Sequence, residues 1–393
     1  MGRRQLAATS AISPVALAKA FVGSLGPTHG VEARARDALE REFCATRALL
    51  TDSGTSALVV ALRIAAPSGG VVGFPGYACV DLAAAARRAG VRVRLYDLDP
   101  GTLSPDLGSV EQLLRRGVDA IVVAHLFGYP ADVPAVRALA NEAGVAVIED
   151  AAQGAGGILG ARRLGSLSDL SVLSFGRGKG LCAGGGGALL GSGDRWPASV
   201  NGLELATNGR GWPGLAKTGV QWALGRPSVY ALPSMLPWLH LGEMVYHPAG
   251  EPRAMPVASS ALLISALDLE RSDLALRRAH AAVLSEAVSR APALAEVAPL
   301  PGARPGYLRY AVRDLGGARR AHPALGILQP YPRTLAEQEE LRPVLLDREP
   351  PTPGATEIRR TLYTMPTHRF VTSRDLAALA AWMSAGGAAE RQR

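Results

Sequence analysis

Between residues 70 and 150, short β-rich runs alternate with stretches of helical periodicity, and few folds accommodate that order. "GVVGF" (70–74) precedes a helix over 81–89, and "VRVRLYD" (91–97) precedes one over 109–116. "DAIVVAHLFG" (119–128) precedes a helix over 132–143, and "VAVIED" (145–150) closes the series. Strand and helix at this spacing predict an α/β fold with a mostly parallel sheet covered by helices on both faces. Upstream, "VEARARDALEREF" (31–43) and "TSALVVALRIAA" (55–66) read as further helices. At 393 residues the chain exceeds one compact core. Helical pattern returns over 257–271 and 273–291, and "YLRYAVR" and "RRTLYTMP" read as strands of a smaller α/β unit. The expected division is a large domain over 1–250 and a small C-terminal domain over 251–393.

Composition narrows the function classes. Hydrophobic residues make up 48% and charged residues 19%, the balance of a globular chain. The net charge of +8 comes from scattered arginines without a dense basic block, which argues against nucleic acid and fits an anionic small substrate. Cys44, Cys79 and Cys182 lie far apart with no CxxC spacing, so neither a disulfide framework nor a metal site is expected. The N-terminus lacks an apolar signal-peptide core, and no run is long enough for a membrane span, so a cytoplasmic location is expected. The aromatic, proline-punctuated stretch 212–248 reads as a buried or subunit-contacting segment. A hydrophobic substrate wall or surface anchor is its other reading.

In a parallel sheet, ligands sit beyond the carboxyl ends of the strands, and three short stretches fall there. "DSGTS" (52–56) places Ser53, Gly54 and Thr55 at a helix start, where free N–H groups and the dipole favour a phosphate. The same residues would serve as an ordinary N-cap. "VIEDAAQ" (147–153) ends a buried strand on Asp150, a carboxylate that needs a cationic or N–H partner. A protonated pyridine nitrogen would suit it, as would a salt bridge or a cap. "SFGRGKGLCAGGGG" (174–187) sets Lys179, one of three lysines in the chain, among seven glycines. The spacing is wrong for a GxxxxGK[ST] phosphate loop. A lysine here could attack a carbonyl and hold it as a Schiff base, or simply be a solvated surface residue.

Taken together, the phosphate-seat loop, the strand-end Asp150 with Gln153 three residues on, and the Ser-Phe-x-x-x-Lys stretch resemble the DegT/DnrJ/EryC1/StrS family of pyridoxal-phosphate aminotransferases. "FPGYACVDLAAAARRAGVRVRLYDLDPGTLSPD", "VAHLFGYPADV" and "LYTMPTH" (362–368) extend the likeness along the chain. The resemblance implies an aspartate-aminotransferase-like large domain of fold type I and pyridoxal 5'-phosphate as cofactor. It further implies that Lys179 links covalently to the cofactor and shuttles a proton, that Asp150 pairs with the ring nitrogen, and that Gln153 approaches the phenolic oxygen. Gly54, Thr55, Ser53 and Ser174 would hold the phosphate. A homodimer with sites at the subunit interface is implied, as is transfer of an amino group, with glutamate as donor, to a nucleotide-linked keto-sugar by a ping-pong route.

The chain departs from the family pattern at three places. Relatives stack an aromatic residue on the ring where "PGYAC" places Cys79, so either Cys79 or Tyr77 makes that contact. "AGGGG" puts Gly185 where relatives carry glutamate, and "EPRAM" keeps Arg253 without the asparagine that precedes it in the family. These departures fall on the substrate side and on the subunit-crossing contact. His125 and His368 could each face a ligand or be hydrogen-bonded structural residues. Two other readings stand beside the aminotransferase: a lyase or dehydratase, in which relatives carry histidine in place of Lys179, and a non-catalytic regulator on the same scaffold.

Overall fold

The computed structural model describes residues 4–192, 200, 203–230, 246–346 and 350–385. Chain order begins α1 (Pro14–Leu25), α2 (Thr28–Phe43), β1 (Arg47–Thr51), α3 (Gly54–Ala65), β2 (Val71–Pro75), α4 (Asp81–Ala89), β3 (Arg92–Tyr96) and α5 (Leu107–Arg115). It continues with β4 (Ala120–Ala124), α6 (Val133–Glu142), β5 (Ala146–Asp150), a small hairpin of β6 (Ile158–Leu159) and β7 (Arg162–Arg163), β8 (Leu170–Ser174) and β9 (Gly187–Gly191). Seven strands form one sheet in the order β1-β9-β8-β5-β4-β2-β3. All its pairs are parallel except those of β9, which runs antiparallel to both β8 and β1. The turn from β8 back into β9 is the glycine-rich stretch, so Lys179 sits at the carboxyl end of β8.

Alternation along each strand sends side chains to two cores. Val72 and Phe74 of β2 and Ala120 and Val122 of β4 pack under α3 and α4. Ile121 and Val123 of β4 and Val147 of β5 pack on the opposite side, against Val110 and Leu113 of α5 and Val133 and Val136 of α6. Helices therefore cover both faces, as the sequence predicts. The strand over 119–128 ends early, at Ala124, because Phe127 adopts a positive φ of 55° that turns the chain over the sheet edge.

Beyond β9, the described part of the 212–248 stretch forms α7 (Trp212–Leu224) and the short α8 (Pro227–Tyr230). Between 212 and 230 only Thr218, Gly225 and Pro227 are buried, so this part lies on the surface of the chain. Residues 231–245 fall outside the described residues. The two helices expected over 257–271 and 273–291 are one, α9 (Val257–Ser289), of 33 residues. The polar step at Ser272 leaves it unbroken because the hydroxyl donates back to the Leu269 carbonyl (2.8 Å).

A second sheet combines β10 (Leu294–Glu296), β12 (Tyr310–Asp314) and β13 (Leu362–Met365), while β11 (Ala303–Arg304) joins the β6–β7 hairpin. The second half of α9 and α11 (Ser373–Ala385) cover the second sheet around Leu284, Tyr310, Val312, Met365 and Met383. "RRTLYTMP" is only partly strand: its first three residues close α10 (Pro353–Thr361).

His368 belongs to this frame. It is buried, its Nε2 bonded to the Leu6 carbonyl (2.9 Å) and its Nδ1 accepting from the Phe370 N–H (3.3 Å). It ties the N-terminal segment down. Burial, the largest influence, lowers its pKa from 6.5 to about 4. The unfolded chain therefore takes up a proton there that the folded chain refuses. The stability this group contributes is complete above pH 6.5 and falls away as the pH drops toward 4. Urea unfolding should show a loss of about 3 kcal/mol across that window, and His368→Gln should flatten that part of the profile.

Candidate active site

A cleft opens at the carboxyl ends of β2, β4, β5 and β8. Asp150, Gln153, Ser174, Lys179, Gly54, Thr55 and Cys79 all line it; these residues come from four separate stretches of chain.

The phosphate-seat region depends on a close approach. A Cβ on Gly54 would lie 2.6 Å from the Ser174 Cβ, so only glycine lets the start of α3 meet the end of β8. The Ser174 and Thr55 hydroxyls have no hydrogen-bond partner among the described residues, and they stand beside the positive end of the α3 dipole. Ser53 takes the capping role that the sequence also offers. Its Oγ accepts from the Ser56 N–H (3.0 Å) and donates to the Ser56 Oγ (2.9 Å), so it caps α3 and does not line the cleft.

Asp150 ends β5 with its Oδ1 accepting from the Ala152 N–H (3.0 Å). Burial raises its pKa; the Ala152 N–H and the positive charge of Lys179 oppose that rise, and the Asp81 carboxylate adds to it. A carboxyl in this setting gains from a cation placed directly against it. Lys179 shares the cleft, and its side chain has no hydrogen bond or ion pair among the described residues. Its loop is held from outside the motif: Ser10 Oγ donates to the Lys179 carbonyl (2.8 Å) and accepts from the Gly178 N–H (3.1 Å). No local signal marked Ser10, because it lies 169 residues away in sequence.

Gln153 is fixed at both ends of its amide. Oε1 accepts from the Phe127 N–H (3.2 Å), and Nε2 donates to the Tyr331 hydroxyl (2.7 Å). Tyr331 packs against Tyr77 (5.1 Å between centroids) and Phe127 (5.4 Å). Tyr77 is fully buried, its hydroxyl accepting from the Tyr331 N–H (3.2 Å). Tyr77 thus stands behind the cleft while Cys79 lines it. The Cys79 thiol lies 3.3 Å from Asp81 Oδ2, and burial, with the Asp81 charge next, pushes its pKa up to about 12. It is a neutral surface for a ligand and no nucleophile. Gly185, where a glutamate was expected, has a φ of 150°, which L side chains rarely adopt. Arg253 stands outside the cleft, bonded to the Thr207 carbonyl (3.1 Å).

His125 lines the cleft, yet both its nitrogens are engaged. Nδ1 accepts from the Ala131 N–H (2.9 Å), which leaves Nε2 to donate to Glu149 (2.9 Å). Glu149 is fully buried and also accepts from the Gly165 N–H (2.5 Å), the Leu167 N–H (2.7 Å) and the Ser171 hydroxyl (2.7 Å). Burial pushes its pKa up, but the His125 hydrogen bond and charge, then Gly165 and Ser171, outweigh that and leave it below the ordinary value. Glu149→Leu would strand four buried donors under the cleft floor. It should cost at least about 4 kcal/mol in urea unfolding.

Comparison with known proteins agrees with this geometry. The sequence profile of the DegT/DnrJ/EryC1/StrS aminotransferase family matches residues 27–210. L-glutamine:2-deoxy-scyllo-inosose aminotransferase of Streptoalloteichus tenebrarius is 30% identical over 274 residues, 66% of this chain and 58% of that protein. dTDP-3-amino-3,4,6-trideoxy-alpha-D-glucose transaminase of Streptomyces venezuelae is 36% identical over 154 residues, 38% of this chain and 40% of that one. The match to these curated relatives thus spans less than two thirds of their length. The crystal structure of the aminotransferase TlmJ from Streptoalloteichus hindustanus superposes with a TM-score of 0.73 at 22% identity, covering 98% of this chain and 99% of that one. That likeness establishes the fold, a type I α/β architecture. Within residues 27–210, the chain belongs to the DegT/DnrJ/EryC1/StrS aminotransferase family.

Proposed function

We propose that this protein is a pyridoxal 5'-phosphate-dependent aminotransferase acting on a keto-sugar, with a nucleotide-linked keto-sugar as acceptor and glutamate as donor. The observation that supports this reading is the presence in one cleft of Asp150 and Lys179, neither of whose side chains has an ion-pair partner among the described residues. The residues fit the cofactor. Asp150 would hold a proton on its ring nitrogen, Gln153 would approach the phenolic oxygen, and Ser174, Thr55 and the start of α3 would hold its phosphate. Cys79 would pack on the ring.

When bound, pyridoxal phosphate supplies a conjugated electron sink that lets a proton leave the carbon beside the amino nitrogen. Lys179 would tether the cofactor and, once released, carry that proton through Nζ. Asp150 would keep the sink charged. His125 and Glu149 keep the cleft floor rigid. Both curated relatives named above are amino-group transferases, one named for an inosose and one for a dTDP-sugar, which supports a cyclic keto-polyol or keto-sugar as acceptor. The reading includes a homodimer with sites shared between subunits and a cytoplasmic location.

The test is direct. Cofactor-loaded protein should be yellow, and glutamate should bleach it with release of 2-oxoglutarate. A panel of nucleotide-linked keto-sugars, followed by mass spectrometry, should then reveal an aminated product. Failure of every amino donor to bleach the colour would reject transamination in favour of lyase chemistry, and a protein that never takes up the cofactor would reject both.

A further inference from the structure

One arginine stands unanswered beside the cleft. The segment leading into β12 (Tyr310–Asp314) is pinned to the turn that follows β4. The Gly306 N–H donates to the Gly128 carbonyl (2.9 Å), and the Arg309 N–H donates to the Phe127 carbonyl (3.2 Å). Phe127 donates its own N–H to Gln153 Oε1, so two hydrogen bonds link the Arg309 backbone to a cleft wall. Alternation along β12 sends Tyr310 and Val312 into the core of the second sheet and Ala311 toward Tyr77, Phe127 and Tyr331. Arg309 and Arg313 share the face of Ala311.

The two arginines on that face differ in their partners. Arg313 Nη1 meets Glu357 Oε1 at 2.9 Å, whereas the Arg309 side chain has no hydrogen bond, ion pair or ring contact among the described residues. Arg309 is half-buried, and its charge acts on the Tyr331 and Tyr77 hydroxyls. Arg359, the other guanidinium that acts on Tyr77, has Glu337 at 3.6 Å. Burial, the largest influence, lowers the Arg309 pKa, and the two hydroxyls oppose that without supplying a countercharge. A guanidinium stays charged at ordinary pH, and withdrawing a charge from water is costly unless an anion meets it. Beside it, the Tyr331 hydroxyl accepts from Gln153 Nε2 (2.7 Å) and finds no acceptor for its own proton among the described residues. Guanidinium and hydroxyl are thus donors awaiting an acceptor, the complement of a carboxylate.

The lining of the cleft supplies no other cation for such a group. Its charged residues are Asp81, Asp150 and Lys179. The first two repel a carboxylate, and the third is the amine that the reaction must set free. An amino-acid donor bears a carboxylate on the very carbon that carries its amine, whereas ring atoms separate the phosphates of a nucleotide-linked sugar from the keto carbon. We propose that Arg309, with the Tyr331 hydroxyl, binds the carboxylate of the amino donor at the Gln153 side of the cleft. The inference rests on the transamination proposed above and names the residue that selects an amino acid over a simple amine.

Titration calorimetry of cofactor-loaded protein with glutarate, which carries two carboxylates and no amine, tests this without turnover. The parent should bind it, and Arg309→Gln should weaken binding about tenfold to a hundredfold, with Arg309→Lys between them. Glutaramide, the neutral diamide, should not distinguish the parent from Arg309→Gln. In the bleaching assay, Arg309→Gln should raise the glutamate concentration for half-maximal rate by a similar factor and change the limiting rate far less. Without ligand, Arg309→Gln should melt no lower than the parent, since it removes no side-chain bond among the described residues. The site is overturned if parent and Arg309→Gln bind glutarate equally, or if the parent ignores it. It is also overturned if Arg309→Gln melts lower or changes oligomeric state, because protein would then supply the countercharge. Failure of the reaction reads differently: a parent that binds glutarate through Arg309 but bleaches with no amino donor would reject transamination and uphold the carboxylate site.

Discussion

Lys179→Ala is expected to fold and melt like the parent while losing transamination on the order of 10⁴-fold or more. The two halves of that statement have separate causes. The Lys179 side chain has no hydrogen bond or ion pair among the described residues, and its loop is held by Ser10 through the Gly178 N–H and the Lys179 carbonyl, which the substitution leaves intact. Stability should therefore be untouched. The chemistry, by contrast, loses both its covalent anchor and its proton carrier. Borohydride treatment of cofactor-loaded parent should leave the cofactor mass on the peptide bearing Lys179, and the variant should show no such peptide. Retention of turnover by the variant, or a modified peptide elsewhere, would sink the assignment of this lysine.

Asp150→Asn should move stability and activity in opposite directions. Burial raises the Asp150 pKa, so the ionised carboxyl costs the cofactor-free protein stability at neutral pH. An amide of the same shape removes that cost, so cofactor-free Asp150→Asn should melt higher than the parent at pH 7. The sign fixes the pH dependence. The penalty exists only above the ordinary carboxylate range, and the two proteins should converge as the pH falls below it and the aspartate is protonated in both folded and unfolded chains. Catalysis should drop by at least about 10³-fold, because the amide carries no charge to keep a ring nitrogen protonated. A variant that melts lower at neutral pH would show that Asp150 serves as a structural ion-pair partner instead.

Much of the large sheet was legible because its signals are local. Val72, Phe74, Ile121 and Val147 sit in short apolar runs bounded by helical periodicity, and every strand and helix between 70 and 150 lies within a few residues of its expected place. Cleft residues at strand ends were legible for the same reason: Asp150 and Ser174 close β5 and β8. What escaped depends on contacts between distant segments. Ser10 and Tyr331 reach the cleft across 169 and 178 residues respectively, and nothing in "TSAIS" or "QPYPR" announces a partner. A phosphate seat and a helix cap present the same residues in sequence, and at Ser53 the 3.0 Å bond from the Ser56 N–H shows the cap. The break expected inside α9 failed because a serine can satisfy its hydroxyl within a helix as readily as at its start.

Helix α9 has one more consequence. It starts at Val257, beside Met255 and the glycine loop, and ends at Ser289 under the second sheet, with no glycine or proline anywhere along its 33 residues. Such a beam has no joint. The far half that carries the second sheet and the near half beside the lysine loop are therefore joined by one continuous backbone, and a hinge between them would have to lie in the connecting turns.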